Sequence, residues 1–323
     1  MPRVLVISTG GTIAMAAASP SQGGALRFGA QALVSAVPQL AETAEIETLD
    51  VVAKPSASLT LADQAAIARA AREAATRFDG VVVTHGTDTL EETAFALALL
   101  TRVEAPIVLT AAMRRPDQPG ADGPANLLAA ARVAASRAAR GLGVLAVFDD
   151  EIHSGPLLRK AHSFRPHAFA SLPFGPIGHV AEGRVRVALR PATALPQLAF
   201  GAAPARVAIL EVGPGFEAAA ALALADVSDG LVLSLPGAGH VAADAAPALG
   251  ALAARLPVVF ASRTGAGETL RASYAYAGGE IDLIARGLIP AGPLDARKAR
   301  VALQLLLSEG AARARVAEVF AGF

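Results

Sequence analysis

Short β-branched runs alternate with helix-like stretches through the first half of the chain. Val4 to Ile7, Gly80 to Thr84, Pro106 to Thr110 and Val144 to Phe148 are apolar at nearly every position, as strands covered on both faces are. Between them, Ala30 to Val37, Thr89 to Leu100 and Gly123 to Arg140 carry helical patterns, the second opening with Thr89 and Glu92 at capping-box spacing. The alternation predicts a parallel sheet layered by helices. From Asp149 to about Pro173 the pattern loses its period and gathers Pro, Gly and His, a stretch that can contain hairpins.

Between about Arg190 and Ala205 the chain turns Pro- and Ala-rich, after which strand-like runs resume at Val207 to Val212, Gly230 to Leu235 and Pro257 to Ala261. Val241 to Ala254 reads as a helix, and Asp295 to Leu306 as an amphipathic helix before a terminal one. Two α/β domains are predicted: a larger doubly wound sheet over residues 1–190, a linker over 191–205, and a smaller parallel-sheet domain over 206–323. The length of 323 residues agrees, since it exceeds what one core usually supports.

Composition narrows the function. Hydrophobic residues make up 53% and charged ones 17%, which suits a folded globular chain. Lys plus Arg and Asp plus Glu both number 28, so no net charge draws the chain to a polyanion or an anionic membrane. With no Trp and 2 Tyr, stacking platforms for single-stranded nucleic acid have few candidates. A small-molecule partner is expected instead. The absence of cysteine removes disulfides, thiol nucleophiles and cysteine metal sites. Met1-Pro2-Arg3 leads straight into a strand-like run without the features of a secretory signal, so the cytoplasm is the expected compartment. Apolar runs such as Ala218 to Ala225 fall well short of the roughly 20 residues that span a bilayer.

In doubly wound sheets, ligands bind beyond the carboxyl ends of the strands. Two segments stand there with usable chemistry. Ser8-Thr9-Gly10-Gly11-Thr12-Ile13-Ala14 follows the first strand; its glycines permit a tight turn that leaves the Thr12 hydroxyl accessible. Neither the dinucleotide fingerprint nor the P-loop lysine spacing is present. His85-Gly86-Thr87-Asp88-Thr89 follows the next strand and opens a helix whose free NH groups favour an anion, with Asp88 placed to bind an ammonium or orient a base. Read singly, each segment also fits a structural turn or a helix cap.

Together they resemble the paired threonine signatures of bacterial-type asparaginases. Further segments resemble the same family in the same order: Leu109 to Asn126 with Ala112-Met113-Arg114 and Ala121-Asp122-Gly123-Pro124, Lys160, and Lys298-Ala299-Arg300. The resemblance spans essentially the whole chain. It implies hydrolysis of a side-chain amide, with Thr12 as nucleophile, Thr87, Asp88 and Lys160 as a proton-handling group, and no metal or organic cofactor. Ser56 matches the residue that binds the substrate α-carboxylate, and Ala112 one whose backbone positions the amide. Glu280 aligns with the glutamate that a neighbouring subunit contributes to the substrate ammonium, with Glu268 as the competing assignment. The resemblance also implies a homotetramer built of close dimers.

Departures from the family pattern bear on the chemistry. Familiar members carry a tyrosine in the lid loop beside the nucleophile, whereas residues 13–50 contain none; Ser19, Ser21, Gln22 and Arg27 are the polar substitutes nearby. Ala57 stands where the family often has Gln. His240 stands where it often has Asn, near the neighbouring subunit's substrate. Within the enzyme class, L-asparagine, L-glutamine or another small amide fits. The missing tyrosine also admits an amino-acid-binding sensor without turnover.

Overall fold

The computed structural model describes residues 1–17, 24–26, 28–192 and 195–323. The chain divides into two compact units, Met1–Ala194 and Leu195–Phe323. The first begins with β1 (Arg3–Ser8), a small antiparallel ladder of β2 (Met15–Ala17) and β3 (Gly24–Leu26), the short helices α1 (Ala30–Ser35) and α2 (Leu40–Thr43), and β4 (Glu45–Asp50). It continues with α3 (Leu61–Ala74), β5 (Gly80–Thr84), α4 (Leu90–Leu100), β6 (Ile107–Thr110), α5 (Gly123–Ala135) and β7 (Val144–Phe148). The strands β8 (Glu151–Ser154), β9 (Arg159–Lys160), β10 (Phe169–Ala170), β11 (Gly178–Ala181) and β12 (Arg184–Val187) follow.

Five parallel strands in the order β4-β1-β5-β6-β7 form the heart of this sheet, and β8, β11 and β12 extend it antiparallel beyond β7. Alternate residues of each central strand feed two cores. Val4, Val6, Val82, Val108 and Leu145 pack with Leu33, Leu40 and Leu127 on one face. On the other, Leu5, Ile7, Val81, Val83 and Leu109 pack with Ile67, Ala71, Leu90 and Leu97. Burial on both sides is why these strands are apolar throughout rather than alternating.

The segment after β7, which loses its period in the sequence, contains hairpins as expected. Strands β7 and β8 form a tight hairpin in which Phe148 pairs with Glu151, and both turn residues, Asp149 and Asp150, take positive φ (49° and 61°). Such a turn follows the right-handed twist of its strands, usually with Gly or Asn, so two aspartates hide it. Helix α5 stops at Ala135 rather than reaching Arg140, because the Ser136 hydroxyl accepts from Ala138 N (3.2 Å) and starts a separate turn. The capping box expected at Thr89 is not formed: the Thr89 hydroxyl donates to the Ser56 carbonyl (2.8 Å) instead.

The second unit holds β13 (Val207–Glu211), α6 (Ala218–Ala225), β14 (Gly230–Leu235), α7 (Ala246–Arg255), β15 (Val258–Ser262), α8 (Glu280–Ala285), β16 (Ile289–Pro290), α9 (Ala296–Ser308) and α10 (Arg313–Ala321). Its four strands are parallel in the order β13-β14-β15-β16. Leu231, Leu233, Leu235 and Phe260 form its core with Ala221, Leu249, Leu252 and Leu283. Helix α7 starts at Ala246, not Val241; ahead of it Val241 N donates to the Gly278 carbonyl (2.9 Å). Asp295 caps α9 by accepting from Arg297 N and Lys298 N (2.9 and 3.1 Å). Among the described residues, no helix is long and apolar enough to cross a membrane.

Candidate active site

The order of the central strands reverses between β1 and β5, the position at which doubly wound sheets take their ligands. The loops leaving those two strands are Thr9 to Thr12 and His85 to Asp88. They are joined at the root, where Thr9 N and the Thr9 hydroxyl both donate to the Thr84 carbonyl (3.1 and 2.9 Å).

Backbone contact holds the loops together further out. Gly11 has φ 88° and ψ 178°, a conformation essentially restricted to glycine, and a Cβ there would lie 2.5 Å from Gly86 N and Cα and from the His85 carbonyl oxygen. A Cβ on Gly86 would in turn lie 2.6 Å from the Ser56 hydroxyl oxygen. Three loops, after β1, β4 and β5, thus interlock through two glycines. Thr12, Ser56 and Thr87 each occupy or adjoin one of these contacts; Thr12 is partly exposed, and Ser56 and Thr87 are buried.

The Ser56 hydroxyl accepts from Asp88 N (3.2 Å) at the start of the helical turn leading into α4. Above it, Lys160 Nζ donates to the Thr87 hydroxyl (3.0 Å) and to Asp88 Oδ1 (2.7 Å). The lysine side chain is 14% exposed while that of Asp88 is 65% exposed, so the ammonium faces inward on the hydroxyl and the carboxylate faces out. Lys160 is fixed from behind. Its backbone N donates to Glu91 Oε2 (2.6 Å), its residue pairs with Phe169 in β10, and the Phe169 ring stacks on Phe148 with centroids 4.1 Å apart.

Ala112 is fully buried just after β6. The next two residues are pinned by Asp122, whose carboxylate accepts from Met113 N and Arg114 N (both 2.9 Å). Asn126 donates to the Ala111 carbonyl (3.0 Å) and accepts from Asp149 N (3.1 Å), tying this loop to the end of β7. Gly123 approaches both Ile13 and Ala112 closely, which brings the residue after Thr12 against the Ala112 loop.

His85 is fully buried, and burial pushes its pKa down to about 4 despite a hydrogen bond from Nδ1 to the Gly86 carbonyl (2.7 Å). It is a neutral ring at physiological pH. The polar substitutes considered for the missing lid tyrosine, Ser19, Ser21, Gln22 and Arg27, lie outside the described residues.

Glu280 and His240 belong to the second unit, where they pair: His240 Nε2 lies 3.2 Å from Glu280 Oε2. Glu280 Oε1 accepts from Ser273 N and Tyr274 N (2.7 Å each). Burial raises the Glu280 pKa, but these backbone donors and His240 outweigh it and hold the carboxyl below its ordinary value. Glu268 is exposed. Among the described residues, no group of three or more His, Asp or Glu side chains is disposed to hold a metal ion.

Residues 3–193 match the family model described as asparaginase, N-terminal, and residues 206–320 match the glutaminase/asparaginase C-terminal domain. The chain belongs to the asparaginase family. A probable L-asparaginase of Deinococcus radiodurans is 38% identical over 99% of this chain and 97% of its own length. A glutaminase-asparaginase of Pseudomonas fluorescens biotype A is 39% identical over 57% of this chain and 52% of its own. A protein of Haemophilus influenzae named probable L-asparaginase periplasmic is 30% identical over 96% of this chain and 89% of its own. As a member of the asparaginase family the chain is an amidohydrolase, and the family's two-domain α/β architecture is the one observed.

Sequence reasoning missed the residues behind the asparaginase motifs. Glu91 reads as an ordinary first-turn acid of α4, yet its carboxylate holds the Lys160 backbone. Asp122 and Asn126 read as part of a motif, with no sign that they fasten the Ala112 loop. Only their position at the start of α5, where a polar side chain can reach back to an adjoining loop, hints at this.

Proposed function

We propose that this asparaginase-family enzyme hydrolyses L-asparagine to L-aspartate and ammonia with Thr12 as nucleophile. The reading rests chiefly on one relationship, the inward-facing Lys160 ammonium on the Thr87 hydroxyl, braced by Asp88. A hydroxyl is almost wholly protonated at neutral pH and needs an adjacent proton-handling group to react. Thr87, Lys160 and Asp88 supply it.

Substrate binds with its α-carboxylate at Ser56 and the NH groups opening the helical turn, and its α-ammonium at Asp88. The Glu280–His240 pair of a neighbouring copy, within a homotetramer of close dimers, completes the ammonium site. The Thr12 oxygen attacks the amide carbon while the backbone around Ala112 orients the amide and donors stabilise the oxyanion. The Thr12 proton ends on the departing nitrogen, leaving ammonia and an acyl ester. Water then cleaves the ester, releases L-aspartate and returns a proton to Thr12. The chemistry uses side chains and backbone alone, and we place it in the cytoplasm, which fractionation of producing cells tests against the periplasmic naming of the Haemophilus relative.

Glutamine is the second reading, favoured by the glutaminase-asparaginase name of the Pseudomonas relative. One methylene changes discrimination by only about 1–3 kcal/mol. Ammonia release from L-asparagine and L-glutamine by the wild type, Thr12→Ala and Thr87→Ala tests both. Loss of turnover in each variant is expected; full activity in either removes that threonine from its role, and ligand binding without turnover in the wild type points to a sensor.

A further inference from the structure

The hairpin that carries Lys160 is too short to hold itself. Its ladder has two residue pairs, Phe169 with Lys160 and Ala170 with Arg159, and a ribbon of that size is marginal in water. Glu91 holds the β9 side through the Lys160 backbone. On the β10 side, the Phe169 ring stacks on Phe148 of β7, and Ser171, two residues further on, has its hydroxyl 3.0 Å from His153 Nδ1. His153 stands on β8 opposite Ala146, and its Nε2 lies 3.3 Å from Glu151 Oε2 on the same face of the strand. His153 and Ser171 are each 1% exposed.

We propose that His153 and Ser171 are positioning residues for Lys160: their hydrogen bond fixes the β9–β10 hairpin along β8 and thereby the place of the lysine ammonium against the Thr87 hydroxyl. The proposal rests on the reading above, in which that ammonium handles protons. A ring stack is an apolar contact with a broad range of offsets, whereas a hydrogen bond weakens steeply as it bends or lengthens. The rings therefore supply adhesion and the polar pair supplies register. Burial makes the pair obligatory, because a hairpin that slips leaves a hydroxyl and an imidazole unpartnered at once, each at the full cost of desolvation. Burial, with the nearby His167, also pushes the His153 pKa down to about 4, so the ring is neutral at physiological pH. A neutral ring nitrogen either donates or accepts, and a hydroxyl answers both, so the bond forms with either tautomer.

Two amides at position 153 separate this bond from the mere presence of a polar group. His153→Asn places its amide near the position of Nδ1 and can still meet the Ser171 hydroxyl. The longer His153→Gln reaches the position of Nε2, which faces Glu151 instead. Ser171→Ala removes the hydroxyl and adds no bulk.

The test measures kcat and KM for ammonia release from L-asparagine in S171A, H153Q, H153N, K160M and K160M/S171A, with thermal melting of each to verify folding. S171A and H153Q are expected to lower kcat by ~10-fold to ~100-fold, the scale of a small misplacement of a reacting group, with KM changed much less and H153N close to the wild type. In the K160M background, S171A is expected to cost nothing further, since the group it positions is gone. An unchanged kcat in folded S171A, or its full penalty persisting in K160M/S171A, overturns the proposal. A second readout needs no turnover. Trace acetylation by acetic anhydride, mapped by mass spectrometry, compares Lys160, whose side chain is 14% exposed, with Lys54, 44% exposed, as internal reference. S171A is expected to raise Lys160 labelling relative to Lys54, and an unchanged ratio overturns the proposal. If the wild type releases no ammonia from any amide, or K160M keeps full turnover, the reading above has failed by itself, and the labelling ratio still decides whether the pair positions Lys160.

Discussion

Lys160 reaches across 73 positions of sequence to place its ammonium 3.0 Å from the Thr87 hydroxyl. With Asp88 on its other side, the lysine is positioned to take and return protons rather than to sit in solvent. Lys160→Met keeps the length of the side chain and removes the charge. It is expected to lower kcat for amide hydrolysis by ~100-fold to 10,000-fold, the usual worth of a positioned acid or base, with an unchanged circular dichroism spectrum. A near-normal kcat would leave Thr87 without its proposed partner.

Gly11→Ala is expected to destabilise the protein by at least ~1–3 kcal/mol from backbone strain alone, because Gly11 occupies a region closed to other residues. The added methyl also meets the Gly86 backbone, so turnover falls even below the melting temperature. Denaturant titration and ammonia release on the same preparation check the two effects separately.

Asp122 accepts three hydrogen bonds, from Met113 N, Arg114 N and Asn126 Nδ2. Removing it by Asp122→Ala takes the acceptor from Met113 N and Arg114 N, while Asn126 keeps its bond to the Ala111 carbonyl, with an expected cost of ~1–3 kcal/mol. Its larger consequence is displacement of the Ala112 backbone, read as a fall in kcat that exceeds the rise in KM. Asp122→Asn, which keeps one accepting oxygen, is expected to recover part of both.

Acid stability follows from two buried imidazoles. Burial lowers His85 to about 4, and burial with the nearby His167 lowers His153 to about 4. Both are neutral in the native state at pH values where the unfolded chain, with ordinary histidines, already binds protons. Stability is therefore full above about pH 6.5 and is lost as pH falls toward 4, by up to ~3 kcal/mol for each ring at about 1.4 kcal/mol per unit. Urea midpoints measured at pH 7, 5.5 and 4.5 check this. In His153→Asn, which retains an acceptor or donor for the Ser171 hydroxyl, the slope over that window is expected to shrink.

The central strands were legible in the sequence because burial on two faces makes them continuously apolar. Thr12 and the Thr87–Asp88 pair stood out as candidates because each follows such a strand, and the family resemblance gave them their proposed roles. Lys160 was reachable only through the family resemblance, since nothing local distinguishes it and its partners are supplied by another strand's loop. Glu91 was missed altogether, since a first-turn acid of α4 gives no sign that it holds the Lys160 backbone. A hairpin was expected in the stretch after Phe148, but Asp149 and Asp150 hid the place of its turn by adopting positive φ without a glycine to announce it. The Thr89–Glu92 spacing misled, because a tertiary acceptor, the Ser56 carbonyl, captured the hydroxyl that a local cap would have used. Contacts between distant segments are what periodicity cannot carry.

The fit of Gly11 against Gly86 makes the two threonine-bearing segments a single inherited unit. A side chain gained at Gly11 collides with the Gly86 main chain, and one gained at Gly86 collides with Ser56, so neither loop changes without rebuilding its neighbour. Variation that retunes this enzyme must therefore enter through residues around the two loops, and not through the glycines that lock them together.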